Sequence, residues 1–551
     1  MNTPHRPDNL AILQQELAAG PRTGLELERA MDISGSTLSR LLGRMGDKID
    51  RAGAARSTRY GLRRPVRNLG DAWPMFVVGQ DSQVRELGSL RALHGAFHFL
   101  PAGGGDGKPL PCVSESISPR LPFFLMAARP GGYLGRYIAR RFSERSRAPK
   151  DVRDWADDDL LEYFITAGTD LPGNVLVGET AKAQAMQEMA AARAGRSVPL
   201  TQARARYPDM IASAHESGSI GSSADGEQPK FLATVDGGVA GSHRSLIIKF
   251  SPPVNTSAGR RWADLLVCEH LAATTINRTG GIAATNEVFF GHGRCFLESE
   301  RFDRTPGLGR IGVVGLGVAT YAIAGRGADD WGQAATLLEG GGLLPASDAK
   351  AIRWARCFGD LIGNEDMHEA NAALLWERAS HFRFAPIYDM LPMLYRPNEQ
   401  GEVVSRAFRP TAPDADTNVV WSGAAEAACD FWEAVSNDQR VSLDMRQEAA
   451  RNAEKVAGLA RMRGAGGSLR SLGGASPLAS GLLPPLVAPP KPTAPANMGK
   501  DLPDENSAGE SKRQIEADSA LDPITRSDSV KRAKKGTTAP RPNPDSIAPP
   551  S

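Results

Sequence analysis

The stretch LIGNEDMHEANAALL, residues 361–375, sets the hardest condition on any fold for this chain. Leu361, Ile362, Leu374 and Leu375 are apolar and belong against a core. Between them crowd Asn364, Glu365, Asp366, His368, Glu369 and Asn371. A plain amphipathic helix has no need of so many short polar side chains in one cluster. A solvated loop has no need of the apolar flanks. The stretch reads as a polar loop held at both ends by buried structure.

At 551 residues the chain is too long for one hydrophobic core, so two or three domains with linkers are expected. Lys+Arg 65 against Asp+Glu 63 leaves a formal charge of +2, which names no polyanionic partner, so only local charge is informative. Cys112, Cys268, Cys295, Cys357 and Cys429 lie far apart, with no CxxC and an odd count. That argues against a disulfide framework or a zinc ribbon and fits a reducing compartment. The opening MNTPHRPDNLAILQQELAAG lacks the apolar core of a signal peptide, and no later apolar run spans a bilayer. A soluble cytoplasmic protein without a membrane partner is expected. Residues 464–551 are dense in Pro, Gly, Ser and Ala, as in SGLLPPLVAPPKPTAPANMG, and almost lack aromatics. They cannot bury enough apolar surface to offset chain entropy and are expected to form a disordered tail, whose VKRAKKG reads as a solvated charge run.

Residues 1–70 suggest a small helical module. Leu10, Leu13 and Leu17 mark a helix ending at Gly20, Thr23 and Glu26 fit a capping box for a second, and Ser34 caps a third carrying Leu38, Leu41, Leu42 and Met45 inward. IDRAGAARSTRYGLRR then reads as two short strands around a basic turn. Three helices and a hairpin is the order of a winged helix-turn-helix. Nine Lys/Arg lie between Arg40 and Arg67, opposed only by Asp47 and Asp50. Ser36, Thr37, Ser39, Arg40 and Arg44 fall on the outward face of the third helix, where such folds enter a major groove. Arg56, Arg59, Arg63 and Arg64 in the wing are expected to meet phosphates. DNA is the expected partner; a protein-interaction module is the alternative. Residues 75–215 read only as mixed α and β.

The chemistry lies in 216–460. GSIGSSADGEQPKFLATVDGG, residues 218–238, is a small-residue turn followed by a strand through Lys230, Phe231, Leu232, Ala233 and Val235. Small residues let backbone amides approach a phosphate, although the pattern matches neither G-x-x-x-x-G-K-[ST] nor G-x-G-x-x-G. SLIIKFSPP places Lys249 on an apolar strand, where an ammonium needs a counter-charge or a phosphate unless its head reaches water. The following helix, RRWADLLVCEHLAATTI, offers Glu269, and a strand lysine with a helix glutamate is how protein kinases hold the α/β-phosphates. RCFLESERFDR reads as a strand entering a polar connection suited to adenine. Asp366 and Asn371 have the D-x-x-x-x-N spacing of a kinase catalytic loop, in which the aspartate accepts the hydroxyl proton and the asparagine holds a metal ion. HFRFAPIYDMLPML supplies a second carboxylate, Asp389, after a strand through Phe382, Phe384 and Ile387. Oxygen ligands of this kind suit Mg2+.

GSSADGEQPK, IIKF, ESERFDR, LIGNEDMHEAN and APIYDM, in that order across about 220–390, resemble the HipA-type serine/threonine kinases, the toxin component of bacterial toxin–antitoxin systems. The resemblance implies an α+β, two-lobed kinase-like fold following a HipA-like subdomain at 75–215. It makes Asp366 the catalytic aspartate, with His368 bracing its loop, and Asn371 and Asp389 the magnesium ligands. It places Lys249, Glu269, Gly226, Gln228, Lys230 and Glu298 at ATP. Ser223 aligns with the serine the family autophosphorylates, with Ser222 adjacent, and phosphorylation there would drive the loop from the ATP site. A sub-type carries its own helix-turn-helix in place of a separate antitoxin. The substrates implied are cytosolic bacterial proteins, aminoacyl-tRNA synthetases among them, and the outcome is growth inhibition. Ala370 departs from the pattern, since the family often has a lysine there, and Glu365 adds negative charge beside Asp366. A DNA-binding regulator with a weak or inactive kinase region is the alternative, and a small-molecule phosphotransferase the third.

Overall fold

A computed structural model describes residues 8–102, 114–216, 228–376 and 381–464. The chain opens with α1 (Asn9–Ala18), β1 (Arg22–Thr23), α2 (Gly24–Met31), α3 (Gly35–Met45), β2 (Ile49–Ala52) and β3 (Arg59–Leu62). The capping box forms: the Thr23 hydroxyl accepts the Glu26 amide at 3.3 Å, and the Glu26 carboxylate accepts the Thr23 amide at 2.7 Å. Ser34 caps α3 through the Thr37 amide at 3.4 Å. With both starts fixed, Leu13, Leu17, Leu27, Leu38, Leu41 and Met45 meet in one small core. The expected hairpin is a three-stranded sheet, order β1-β3-β2, because residues 22–23 pair with Tyr60 and Arg59.

This module is fastened to the middle region of the chain. Arg63 bridges to Leu93, and the Arg64 amide donates to the Ala92 carbonyl at 3.0 Å. Buried Asp50 on β2 takes Arg63 at 2.8 Å, Arg91 at 2.9 Å and His98 at 3.0 Å. Arg63 and Arg64 are therefore not turned outward to phosphates: Arg64 forks onto Asp158 at 2.7 and 2.8 Å, and Arg67 pairs with Asp159 and Glu162.

The middle region comprises β4 (Ala72–Val78), β5 (Val84–Leu93), β6 (Ala96–Pro101), β7 (Ser116–Ser118), α4 (Phe123–Met126), α5 (Gly132–Ser143), α6 (Asp157–Ala167), β8 (Val175–Val177) and α7 (Gly178–Ala191). Its strands form one antiparallel sheet, order β7-β6-β5-β4-β8. Trp73, Phe97, Phe99, Phe124, Leu160 and Phe164 fill its core. Helices α8 (Leu200–Ala205) and α9 (Tyr207–Glu216) lead to the second large sheet.

That sheet has β9 (Lys230–Asp236), β10 (His243–Phe250), β11 (Asn286–Gly291) and β12 (Arg294–Glu300) in the order β11-β12-β10-β9, all antiparallel, with α10 (Ser257–Arg278) inserted after β10. Alternation along β10 sends Leu246, Ile248 and Phe250 to one face, where they pack with Phe231, Phe296 and the α9 residues Tyr207 and Ile211. Lys249 goes to the other face. The remainder is β13 (Gly312–Gly315), α11 (Leu316–Ala324), α12 (Trp331–Gly340), α13 (Ala346–Leu361), β14 (Ala373–Trp376), β15 (Phe382–Phe384), α14 (Trp421–Asn437) and α15 (Leu443–Gly464). Trp331, Phe358, Phe382, Phe431 and Trp432 are among its largest fully buried side chains. Cys268, Cys295, Cys357 and Cys429 are free thiols, and Cys112 lies outside the described residues. No helix among the described residues is long and apolar enough to cross a membrane. The tail beyond Gly464 also lies outside them.

Candidate active site

Lys249 is only 5% exposed at its side chain, and its ammonium is held by both oxygens of Glu269 on α10, at 2.5 and 2.7 Å. A third contact joins it to Asp389. An unpaired ammonium here would be costly, and two carboxylates reverse the balance. Burial depresses the Lys249 pKa, but Asp389 and Glu269 outweigh it and the net shift is upward. Asp389 is the mirror case: burial raises it, and Lys249 with Lys230 bring it down to about 2. Lys230 lies opposite Lys249 across the β9–β10 pair and shares its face. Glu269 moves upward, because burial and the charge of Asp389 exceed what Lys249 returns. The three groups thus hold a charged lysine beside an ionised Asp389.

α13 ends at Leu361, and the polar loop comes next. Asp366 is tied to Asn371, whose Nδ2 donates to the Asp366 carbonyl at 2.8 Å and to its carboxylate at 3.2 Å. The D-x-x-x-x-N spacing therefore closes on itself. Buried Asn364 joins this loop to the second carboxylate. Its Oδ1 accepts the Asp366 amide at 3.1 Å, and its Nδ2 donates to the Asp389 carbonyl at 3.3 Å. Asp389 sits at φ +52, a left-handed conformation that a non-glycine residue keeps only where its surroundings enforce it. Tyr388 adds a second tie, its hydroxyl donating to the Ala370 carbonyl at 3.1 Å.

The His368 imidazole lies 3.5 Å from Asp366. The bracing comes from its carbonyl, which accepts the Asn371 amide at 2.9 Å and the indole of buried Trp331 at 3.0 Å. Glu365 is countered by Arg406 at 3.6 Å. Trp331, Asn364, Tyr388 and Arg406 carry no sequence expectation of a role. Of the four, only Asn364 and Tyr388 sit inside recognised motifs, so only they left a signal.

Glu298 is corrected. It pairs with Ile248, not Lys249, so its side chain points to the opposite face of the sheet. There it is fully buried under α8 and α9, held by Arg204 at 2.6 and 2.8 Å and by the Tyr207 hydroxyl at 2.9 Å. It fastens helices to the sheet and does not line the cleft. Gln228 lies just before β9, and its Nε2 is buried without a hydrogen-bond partner. Gly226, Ser222 and Ser223 lie outside the described residues, as does the side chain of Arg56. Ser36, Arg40, Arg44 and Arg59 are exposed and Thr37 half-buried, on the N-terminal module and away from this cluster.

Among the described residues no three His, Cys, Asp or Glu side chains form a metal cluster. Magnesium needs none, since it takes one or two protein oxygens and completes its shell with water and phosphate. The donor set fits: Asp389 is ionised, and with Nδ2 of Asn371 committed to Asp366, Oδ1 of Asn371 is left for a cation. Nε2 of Gln228, two residues before Lys230, is a spare donor.

The chain is similar to several known proteins. Residues 69–186 match the family "YjjJ-like toxin, middle domain", and residues 222–460 match "HipA-like C-terminal domain". The chain is 32% identical over 450 residues to "Toxin YjjJ" of Escherichia coli (strain K12), covering 81% of this chain and 97% of that one. A solved complex of the Shewanella oneidensis MR-1 toxin–antitoxin system HipA and HipB with operator DNA aligns at 13% identity and a TM-score of 0.45, over 70% of this chain and 97% of that one. The Helicobacter pylori proinflammatory kinase CtkA aligns at 12% identity and a TM-score of 0.31, over 44% and 93%.

Proposed function

This chain belongs to the HipA family of toxins, and on that premise we propose that it is an ATP- and magnesium-dependent serine/threonine protein kinase whose activity inhibits growth. One observation carries the reading: Lys249, paired with Glu269, meets Asp389, and Asn364 ties Asp389 to the Asp366–Asn371 loop. Buried ion pairs are weak evidence for stability, and a constellation that joins four separate segments in kinase order is better explained by chemistry.

Lys249 binds the ATP phosphates, and Glu269 keeps its ammonium aimed at them. Asp389 and Asn371 would hold magnesium, which when bound neutralises charge on the β- and γ-phosphates. Asp366 accepts the proton of the acceptor serine or threonine hydroxyl as that oxygen attacks the γ-phosphorus. The bond from phosphorus to the bridging oxygen breaks, and ADP leaves. The acceptor is a cytosolic bacterial protein, with an aminoacyl-tRNA synthetase suggested by the family resemblance alone. Ser223 is the proposed autophosphorylation site. The N-terminal module, three helices and a small sheet, is proposed to be a winged helix-turn-helix that contacts DNA through Ser36, Thr37, Arg40 and Arg44, with or without a separate antitoxin.

A second reading, a DNA-binding regulator with a weak or inactive kinase region, is favoured by Ala370, where the family often has lysine. Asp366→Gln separates the two. With ATP labelled at the γ-phosphate and magnesium, wild type should label a protein acceptor, and the variant should lose at least about a thousandfold while binding DNA normally. A variant that labels as fast as wild type, or still arrests growth, refutes the kinase reading.

A further inference from the structure

The segment joining the β9–β12 sheet to β13, residues 301–311, is held from outside the kinase region. The loop after α6, residues 168–173, grips it. Asp170 takes Arg301 at 2.8 Å and Arg304 at 2.7 Å, and the Leu171 carbonyl takes Arg304 at 2.8 Å. The Thr169 carbonyl takes Arg310 at 2.7 Å, and the Gly173 amide donates to Asp303 at 2.8 Å. Arg301 and Arg304 are each 7% exposed at the side chain and Asp170 46%, so two buried guanidinium groups are met by a carboxylate that stands at the surface.

Among the described residues the charge count inside this cluster is uneven: Arg301, Arg304 and Arg310 face Asp170 and Asp303. Burial and then the neighbouring Arg304 pull Arg310 down to about 10. Removing Asp170 would leave three guanidinium groups around one carboxylate, and their repulsion would move the segment. The neighbouring side chain on that segment serves the cleft. Phe302, between Arg301 and Asp303, packs on Tyr388 with ring centroids 5.7 Å apart, and Tyr388 precedes Asp389 and bonds the Ala370 carbonyl. A shift at Arg301 is therefore transmitted through one residue to the segment carrying Asp389.

We infer that Asp170, in the middle region, is a positioning residue for the nucleotide cleft, acting through Arg301 and Arg304 on Phe302. The inference rests on the kinase reading above. Its effect is read on nucleotide affinity, because the path through Phe302 and Tyr388 leads to Asp389, the proposed ligand of the nucleotide's magnesium.

The test uses the full chain. ATP with magnesium is titrated calorimetrically into wild type, Asp170→Asn, Asp170→Glu and the exposed control Glu179→Gln, and label transfer is followed against ATP concentration. Asp170→Asn should weaken ATP binding and raise KM about tenfold, with kcat within about twofold. Asp170→Glu should recover most of the loss, and Glu179→Gln should match wild type. Wild-type affinity in Asp170→Asn overturns the inference, as does a fall in kcat without a change in KM. Loss of the melting transition in both Asp170 variants also overturns it, because Asp170 would then be a general structural residue. Wild type that takes up no ATP overturns the kinase reading itself, a result read from the first titration.

Discussion

Lys249 shows how a single buried charge is decided by its neighbours. Desolvation alone would favour the neutral amine, yet two carboxylates keep it charged, and its ammonium, with Lys230, in turn holds Asp389 down to about 2. The sign comes from linkage. A carboxylate whose folded pKa lies below its ordinary value near 4 adds stability that is present above that value and lost as pH falls through about 2. Lys249→Met removes the cation and leaves Glu269 and Asp389 facing each other. Breaking a buried pair in this way costs about 3–5 kcal/mol near neutral pH. The two bereft carboxylates can then take up protons, so acid should relieve the variant at both, while in wild type Asp389 loses stability as the raised Glu269 gains it. Urea denaturation at a series of pH values should show the gap closing between pH 7 and pH 3. A gap that stays constant would mean that Asp389 is not ionised against Lys249.

Within single elements, the strands explain both what was legible in the sequence and what was not. β10 announced its lysine because an ammonium among Ile247, Ile248 and Phe250 has few tolerable settings. β12 gave no such indication: Cys295 through Ser299 are all buried, so no inside–outside alternation reveals which way Glu298 points, and a one-residue change of register flips the side. Glu298→Gln should therefore cost about 2 kcal/mol, by weakening its charged bonds to Arg204, and leave ATP affinity within twofold. A large affinity loss with an unchanged melting temperature would return Glu298 to the nucleotide. The caps of α2 and α3 and the Asp366–Asn371 spacing were legible because each is a contact over a few residues. Trp331 and Arg406 were not, since each reaches the loop from an element some forty residues away. β1 is two residues long and has no periodicity to read.

Over the whole molecule, the same long-range pairing reassigns the basic charge of the N-terminal module. Of the nine Lys/Arg between Arg40 and Arg67, three are committed internally: Arg63 to Asp50, Arg64 to Asp158, and Arg67 to Asp159 and Glu162. Burial raises the Asp50 carboxyl, but His98, Arg63 and Arg91 outweigh it and hold it at about 2. These arginines dock the module on the β4–β8 sheet and on α6, whose far end leads to Asp170. Arg40, Arg44, Lys48, Arg51 and Arg59 remain exposed. Exposed arginines release counterions when they meet phosphates and internally paired ones do not, so the two sets should respond differently to salt. Arg40→Ala with Arg44→Ala should lower the slope of log affinity for duplex DNA against log salt by about 2 and leave label transfer from ATP unchanged. Arg64→Ala should leave that slope unchanged and lower the melting temperature instead, because its loss opens the joint with α6. If Arg64→Ala reduces the slope as much as the Arg40→Ala and Arg44→Ala pair does, the docking described for the module does not persist on DNA, and its basic face must be redrawn to include Arg63 and Arg64.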